Sequence, residues 1–328
     1  MNPAASFRDA SGPLAAVEIA ATRVSGASIE WRGGQAALVA HAVEPIPYGP
    51  VVASLAAENI LDRTTVVAAV DQVLQRLGRP RRIALVVPDP VAKVSLIKFE
   101  RVPAKTEDLD ELVRWQVRKT APFPIEEAQL SYVAGQKTLE GQEFIVTLAR
   151  RHVIEEYEQL AAAVGAHAGV VDLATFNIIN AVLAGGGAPG GAPPATDWLL
   201  VNAAPDYVTL AILRGSDLIF FRNRAADTEG TLADVVHQTA MYYEDRLNGS
   251  GFARVMLAGA AADGGHADEI DMVRRSLEER LTTKVDTIDP RSTVTLTDRI
   301  AAGPAFLDSL TPLVGVLLRG HEPGGRAA

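Results

Sequence analysis

Short apolar runs separated by turn residues open the chain and predict β-strands. Three runs cover Leu14–Ala20, Val24–Trp31 and Ala36–Val43, and Gly33-Gly34 marks a turn between the last two. A fourth run, Ile83–Val87, is apolar throughout, as expected of a strand buried on both faces. The first part of the chain is therefore predicted to form a sheet.

The segment before the fourth run has the 3.6-residue periodicity of a helix with one apolar face. Its apolar positions are Val66, Val70, Val73, Leu74 and Leu77. We expect Thr64 or Thr65 to cap the start of this helix, and Gly78 and Pro80 to end it.

The same order of elements returns in the second half of the chain. Strands are predicted at Trp198–Val201, Tyr207–Leu213 and Leu218–Phe221, followed by an amphipathic helix within 232–247 and the strand Arg254–Leu257. Three strands, a helix and a strand therefore occur twice, which is typical of a duplicated α/β domain. In such a protein the ligand site usually lies between the halves.

Extra material between the two copies predicts an inserted α+β subdomain. Its elements are expected to be a strand at Val91–Phe99, a helix at 106–120, strands near Gln129–Val133 and Phe144–Leu148, and a helix at Val153–Val164. Residues 185–195, rich in glycine and proline, predict a flexible linker. The glycines there match a G-x-G-x-x-G spacing, but they follow a predicted helix and not a strand, so we expect no dinucleotide site.

Composition excludes several classes of function. The 328 residues contain no cysteine, which excludes disulfides, thiol nucleophiles and thiolate metal sites. The net charge of -9 is opposite to the basic character that phosphate backbones attract, so we expect no nucleic-acid partner. No signal peptide is recognisable, and no apolar run approaches the roughly 20 residues that cross a bilayer. We therefore expect a cytoplasmic protein.

Few residues outside the predicted cleft suggest chemistry. The six histidines show no metal-ligand spacing, and no serine has a nucleophile elbow, so neither a metal site nor a serine hydrolase is expected. Asp172 lies between a strand and a helix, and we expect it to be an N-cap. One local basic cluster comprises Arg76, Arg79, Arg81 and Arg82. We interpret it as capping the C-terminus of a helix, with contact to anionic lipid as a second interpretation.

The run from Val113 to Glu127 carries the most specific motif of the chain. It reads VRWQVRKTAPFPIEE, a helix end followed by a proline-rich segment. This motif resembles that of the PilM family, actin-like components of type IV pilus assembly. Weaker matches in the family's order extend the resemblance over nearly the whole chain, at Leu148–Arg151, Val170–Phe176 and Gly315–Arg319.

The resemblance implies an actin-like, ribonuclease H-like α/β fold, with two duplicated lobes and an inserted small subdomain, as in the division protein FtsA. The first lobe is then expected to comprise 1–88 and 167–184, the insert 89–166, and the second lobe 196–320. Residues 185–195 would link the lobes. Residues 321–328 would be a disordered tail.

The nucleotide motifs of the family are altered in this chain. Actin-like proteins hold ATP phosphates on two glycine-containing hairpin loops, where backbone amides approach closely. In the first loop, Glu18, Ala20 and Thr22 replace a D-I-G motif and the hydroxyl residues after it. The second loop and the adenosine side contribute Asn202, Ala204, Asp206 and Gly259, with most of the family's glycines lost. Each added Cβ fills space that a phosphate or purine would occupy.

We therefore expect no cofactor, and we expect ATP binding to be weakened or lost and the protein not to be an enzyme. Glu18 and Thr22 leave an alternative open, in which a carboxylate and a hydroxyl approach the water shell of Mg²⁺ with ATP. We favour an ion pair of Glu18 with Arg23, or a turn cap, and a turn position for Asp206.

Two interpretations fit the aromatic and proline residues of this segment, which are Trp115, Pro122, Phe123 and Pro124. We favour a structural one, in which they end a helix and seal the insert onto the lobe. The resemblance implies a second one, in which they border a groove for the cytoplasmic N-terminal peptide of PilN, a membrane protein.

The implied function is a cytoplasmic scaffold of the pilus assembly platform at the inner membrane. A PilN-like protein would be its partner, and a PilO-like protein, the motor ATPases and the membrane would be reached through partners. Three alternatives stay open: an active actin-like ATPase, a relative of the type II secretion protein GspL, and a filament-forming FtsA-like protein. The apolar segment Leu307–Leu318 favours a helix that returns to the core over a membrane-binding helix.

Overall fold

Three β-sheets organise the chain in a computed structural model that describes residues 12–185, 196–226, 230–261, 267–296 and 303–319. The described strands are β1 (Ala15–Ile19), β2 (Arg23–Arg32), β3 (Gln35–Pro45), β4 (Arg82–Val87), β5 (Ala92–Phe99), β6 (Ala128–Thr138), β7 (Gly141–Arg150), β8 (His167–Leu173), β9 (Asp197–Ala203), β10 (Tyr207–Arg214), β11 (Asp217–Ala225), β12 (Arg254–Ala258), β13 (Val285–Thr287) and β14 (Val294–Leu296). The described helices are α1 (Arg63–Arg76), α2 (Thr106–Arg118), α3 (Arg151–Ala163), α4 (Ala174–Ala184), α5 (Leu232–Leu247), α6 (Ala267–Leu281) and α7 (Pro304–Leu318).

The first sheet has the strand order β14-β3-β2-β1-β4-β8. Strands β1, β2 and β3 are antiparallel neighbours, whereas β4 runs parallel to β1 and β8 runs parallel to β4. Helices cover both faces, which is why β4 is apolar from Ile83 to Val87. Val17 and Leu85 share a core with α1 and α3, and Ala84 shares one with α7 on the opposite face.

The second sheet repeats this arrangement with the order β11-β10-β9-β12-β13. Strands β9, β10 and β11 are antiparallel neighbours, β12 runs parallel to β9, and β13 runs parallel to β12. One face of this sheet packs against α5 and α6. The other face packs against α4, whose Ile178 and Ile179 share a core with Leu200 and Met256. The predicted duplicated α/β fold is therefore confirmed.

The residues between β4 and β8 supply the third sheet, with the order β5-β7-β6. Alternate side chains of a strand point to opposite faces. Phe144 and Val146 of β7 pack with residues of α2, whereas Ile145 lies on the other face of the sheet. Helix α3 belongs to the expected insert 89–166 in sequence, but its Tyr157 lies in the core of the first lobe. The separate sheet of the insert therefore ends with β7.

The expected second lobe, 196–320, is wrong in its last part, because β14 and α7 join the first lobe. Strand β14 pairs in parallel with β3, and Leu310 and Leu313 of α7 pack on the first sheet. A Cβ at Gly315 would overlap the backbone carbonyl of Asn177, so α7 and α4 cross in very close contact. The predicted return of this apolar helix to the core is confirmed.

The two ends of α1 differ from the prediction. Asp62 caps its start by accepting from the amide of Thr65 at 3.1 Å, so neither Thr64 nor Thr65 is the N-cap. Backbone amides close the other end, where Arg79 N donates to Leu74 O at 2.8 Å. The arginine side chains after this helix are therefore not needed to cap its carbonyl groups.

Two predicted segments lie outside the described residues. The linker 185–195 does so except for Gly185, and the tail 321–328 does so entirely. Among the described helices, none is long and apolar enough to cross a bilayer.

Candidate functional site

The residues predicted from the altered nucleotide motifs meet between the two lobes. Six of them line a single cavity: Glu18, Ala20, Asn202, Ala204, Asp206 and Gly259. Thr22 is not among the lining residues. The cavity has a volume of about 30 Å³, whereas pockets that hold small-molecule ligands measure roughly 300–1,000 Å³. This space accommodates one or two water molecules but no nucleotide.

The carboxylate of Glu18 forms an ion pair with Arg23. Arg23 Nη2 lies 2.9 Å from Glu18 Oε2, and Ser25 Oγ donates to the same oxygen at 2.9 Å. Both charged side chains are 8% exposed, so the pair is buried. The tight β1–β2 turn positions Arg23, because Ala20 N donates to its carbonyl oxygen at 2.9 Å. The prediction that Glu18 pairs with Arg23 is confirmed.

A second carboxylate, that of Asp308 in α7, accepts hydrogen bonds from backbone amides of the turn after β12. Gly259 N donates to Asp308 Oδ1 at 2.8 Å, and Ala261 N donates to Oδ2 at 2.7 Å. Gly259 has a φ of +82°, and a Cβ there would lie 2.7 Å from Asn202 Oδ1, so the turn requires glycine. Burial raises the pKa of Asp308, and the two amide donors oppose that rise. The carboxylate of Asp308 is therefore already bonded to two backbone amides that are suited to binding an anion.

Asp89 joins both lobes through a buried hydrogen-bond network beside this cavity. In the first lobe it accepts from Thr175 N at 3.0 Å and from the Thr175 hydroxyl. From the second lobe, Thr209 Oγ1 donates to Asp89 at 2.6 Å and Asn202 Nδ2 donates at 3.5 Å. Burial raises the pKa of Asp89, and the hydrogen bonds from Thr175, Thr209 and Asn202 oppose that rise. The lobes are thus joined directly where actin-like proteins hold a nucleotide between them.

A much larger cavity of about 650 Å³ lies between the insert and the two lobes. Strands β6 and β7, strand β8, helix α4 and the turn between β10 and β11 supply most of its walls. Large apolar side chains dominate the lining and include Val133, Ile145, Val171, Phe176, Ile179 and Leu218. Polar side chains are fewer and include Ser131, Thr147, Asn180, Ser216, Asp172 and Arg319. This volume and lining are typical of a ligand site.

Two open sheet edges face the large cavity. Strand β8 is the last strand of the first sheet, and β6 is the last strand of the insert sheet. They line the cavity with Gly169–Leu173 and Ser131–Val133, respectively. An edge strand has backbone N–H and C=O groups available for pairing with another chain. An extended peptide between these edges can pair its backbone and place alternate side chains in the apolar cavity.

Asp172 and Arg319 form an ion pair in the wall of the large cavity. Arg319 Nη1 lies 2.7 Å from Asp172 Oδ2, and the Asp172 side chain is 15% exposed. Burial raises the pKa of Asp172, and the charge of Arg319 offsets only part of that rise. The predicted N-cap role of Asp172 is wrong, because Leu173 is the N-cap of α4 and has no side-chain cap. The strand β8 continues through Asp172 to Leu173, so the N-cap lies one residue later than expected.

The aromatic and proline residues predicted to bind a partner lie elsewhere on the insert. Trp115 is 56% exposed on α2, and Lys119 Nζ lies 3.7 Å from its ring centroid. The favoured packing interpretation is therefore wrong for Trp115, whereas Phe123 packs against the core of the insert. Pro122 and Pro124 are exposed, and none of the four residues lines the large cavity. A role for them in partner binding stays a prediction.

Sequence analysis does not identify Asp89, Asp308 or Thr209 as members of the cleft. A usable signal was present for Asp89, because an acid two residues after a strand that is apolar from Ile83 to Val87 must find hydrogen-bond partners if it is buried. Asp308 is the one charged residue of α7, an otherwise apolar helix, which is a similar signal. Thr209 gives no such signal, because threonine is common in strands.

Comparison with known proteins identifies relatives of this chain. The family model described as type IV pilus assembly protein PilM matches residues 16–246. A solved structure described as a PilM-PilN type IV pilus biogenesis complex has 15% identity and a TM-score of 0.78, covering 95% of this chain and 100% of that one.

Two further solved structures are less similar. The ethanolamine utilization protein EutJ from Carboxydothermus hydrogenoformans has 10% identity and a TM-score of 0.49, covering 93% of this chain and 88% of that one. The cytoplasmic domain of EpsL, an inner membrane component of the type II secretion system of Vibrio cholerae, has 8% identity and a TM-score of 0.47, with 93% of each chain covered.

Proposed function

Because the chain belongs to the PilM family of type IV pilus assembly proteins, we propose that it serves pilus assembly as a scaffold that binds a peptide and no nucleotide. The cavity of about 650 Å³ between the insert and the lobes is the observation that supports this best. The peptide is the N-terminal segment of a PilN-like membrane protein, in keeping with the solved PilM-PilN complex that this chain resembles. Through that partner the chain would meet a PilO-like protein and the motor ATPases at the cytoplasmic face of the inner membrane.

The peptide binds as an added strand between the edges of β8 and β6. Backbone hydrogen bonds to the edge supply affinity, and apolar side chains that enter the cavity supply specificity. Ile179 and Phe176 of α4 form the apolar wall opposite the insert. Ser131 and Asn180 offer polar groups that orient a backbone amide of the peptide.

The closed cleft supports the loss of nucleotide binding. The amides of Gly259 and Ala261 are already bonded to Asp308, and Glu18 is neutralised by Arg23. A nucleotide would have to break these contacts and separate the lobes before it gained any of its own. An actin-like ATPase is therefore the weaker alternative, because phosphoryl transfer depends on open, positioned donors and a metal.

Titration of a fluorescent N-terminal peptide of the PilN-like protein tests this function. We expect Ser131→Trp, which fills the cavity from β6, to weaken binding by more than tenfold, roughly the loss of one good interface contact. Lys137→Trp on the same strand is the matched control, because Lys137 is exposed and does not line the cavity. Binding by the wild type that Ser131→Trp leaves unchanged, or no binding by the wild type, would overturn the proposal.

A further inference from the structure

Four exposed arginines lie within seven residues between the end of α1 and the start of β4, and we name Arg76, Arg79, Arg81 and Arg82 the arginine patch. The patch is distinctive on a chain whose net charge is -9. Carboxylates balance two of its members, since Arg76 Nη2 lies 2.9 Å from Glu44 Oε2 and Arg79 Nη1 lies 3.1 Å from Asp71 Oδ1. Within the described residues, no carboxylate forms an ion pair with Arg81 or Arg82.

The helix dipole does not account for the unbalanced pair of arginines. Helix α1 ends at Arg76, and backbone amides close its last turn. The dipole acts mainly within that last turn. Arg81 and Arg82 lie five and six positions beyond it, at the start of a strand. Their charges are therefore available to a ligand outside the chain.

The arginine patch adjoins the large cavity. Arg82 is opposite His167 in the parallel pairing of β4 with β8. A Cβ at Gly169 would lie 3.7 Å from Arg82 Nη2, so this guanidinium lies against β8 two residues further along. Gly169 is itself a lining residue of the cavity. The patch therefore marks the end of the cavity at which β8 begins.

We propose that the arginine patch binds anionic phospholipid headgroups of the membrane that anchors the peptide partner. This inference rests on the proposed function for the location of the membrane, and it adds a direct contact that the proposed function does not include. Guanidinium groups donate bidentate hydrogen bonds to phosphate oxygens, and exposed arginines without carboxylate partners lose no ion pair on binding. Since the patch and the cavity share one end of the first lobe, one molecule can hold the peptide and contact lipid together.

Binding of the peptide in the cavity and binding of lipid at the arginine patch reinforce each other when one molecule makes both contacts. A basic side chain near an anionic surface strengthens binding by roughly fivefold, so the two unbalanced arginines give only weak attachment alone. A bound peptide raises the local concentration of the chain at the membrane and makes that weak contact effective. The patch would then fix which face of the scaffold is turned toward the bilayer.

Co-sedimentation of the purified full chain with vesicles that carry the membrane-anchored N-terminal peptide tests the inference, because the bound peptide makes the weak lipid contact effective. We expect binding to vesicles that contain phosphatidylglycerol, weaker binding to vesicles of phosphatidylcholine alone, and a loss of binding as ionic strength rises. The double variant R81Q/R82Q should reduce the vesicle partition coefficient by roughly tenfold or more. The matched control is R246Q/R275Q, which removes the same charge from exposed positions of α5 and α6.

Equal binding to both vesicle types, or an equal loss in R81Q/R82Q and R246Q/R275Q, would overturn the inference. Titration of the peptide in solution distinguishes a loss of lipid contact from a loss of peptide binding. We expect R81Q/R82Q to bind the peptide in solution with wild-type affinity, because neither side chain lines the cavity. Peptide binding without a preference for anionic vesicles would refute the lipid contact alone, whereas failure of the peptide to bind would refute the proposed function.

Discussion

Thr209 in the second lobe donates a hydrogen bond of 2.6 Å to Asp89, which follows β4 of the first lobe, and neither side chain is exposed to solvent. A buried carboxylate is tolerated only when its oxygens are well bonded, and here hydroxyl, amide and backbone donors from both lobes converge on one residue. Asn223 Nδ2 extends the network by donating to Thr209 Oγ1 at 2.9 Å. Closure of the cleft is thus a property of the folded chain itself.

Removal of the interlobe hydrogen bond should destabilise the protein even when the side-chain volume at position 209 is kept. We expect Thr209→Val to lower the free energy of unfolding by about 1–3 kcal/mol, because the Asp89 carboxylate loses a buried donor. Thr295→Val is the control, since Thr295 is exposed on β14 and should change stability by less than about 0.5 kcal/mol. Urea unfolding followed by circular dichroism measures both values, and equal stability of the two variants would contradict the role of the network.

The Glu18–Arg23 ion pair should show strong coupling in a double-mutant cycle. Glu18→Gln leaves a buried guanidinium without its counter-charge, and we expect a loss of about 3 kcal/mol. The double variant with Arg23→Met should recover most of that loss, because the uncompensated charge is gone. Chemical denaturation of the four proteins gives the coupling energy, and strictly additive effects would show that the pair is not buried as described.

His41 should make the stability of the protein fall in mild acid. Burial, with a smaller effect of Arg23, lowers the pKa of His41 from its ordinary value of 6.5 to about 4, and the ring centroids of His41 and Phe306 lie 4.6 Å apart. As the pH falls from about 6.5 to 4, the unfolded chain gains a proton that the folded chain does not bind. The shift corresponds to roughly 3 kcal/mol lost over that range.

The measurement for His41 is the difference in unfolding free energy between wild type and His41→Leu at pH 7 and at pH 4.5. We expect the stability of the wild type to fall relative to that of the variant as the solution is acidified. The raised pKa values of Asp89, Asp172 and Asp308 act in the opposite direction, which is why a difference is measured. The exposed His167→Gln is the control, and a pH-independent difference for His41→Leu would contradict the prediction.

The close crossing of α4 and α7 should make Gly315 intolerant of any side chain. We expect Gly315→Ala to cost at least about 2 kcal/mol, because its Cβ would meet the rigid backbone of Asn177. Gly135→Ala is the matched control, since its Cβ would lie 3.6 Å or more from its neighbours. Thermal unfolding compares the two, and a stable Gly315→Ala protein would show that the helices can move apart at low cost.

Local sequence patterns were sufficient for most single elements. The apolar run Ile83–Val87 forms most of β4, and the helix expected at 106–120 is α2. Such patterns work because they report which face of an element is buried, which is a local property. The position of α7 was not predictable in this way. Its apolar sequence indicates burial, but the lobe it joins is decided by packing against β1, β2 and α4, far away in the chain.

The candidate cleft was predictable only where a family motif marked it. Glu18, Asn202 and Gly259 were expected near one another, and they line one cavity. Asp89 and Asp308 were missed because their partners are distant in sequence, by 120 positions for Asp89 and Thr209 and by 49 for Asp308 and Gly259. The exposure of Trp115 was predictable but missed: it lies two positions from both Val113 and Val117, the buried residues of α2, and therefore on the other face of that helix.

The thermal unfolding midpoint, measured with Mg-ATP and separately with the N-terminal peptide of the PilN-like protein, shows which of the two ligands the folded chain binds. A ligand present at about 100 times its dissociation constant adds roughly 2.7 kcal/mol to the folded state and raises the midpoint by several degrees. We expect such a rise with the peptide and no shift with Mg-ATP relative to Mg²⁺ alone. A rise with Mg-ATP would contradict the closed cleft, and no rise with the peptide would contradict the peptide site.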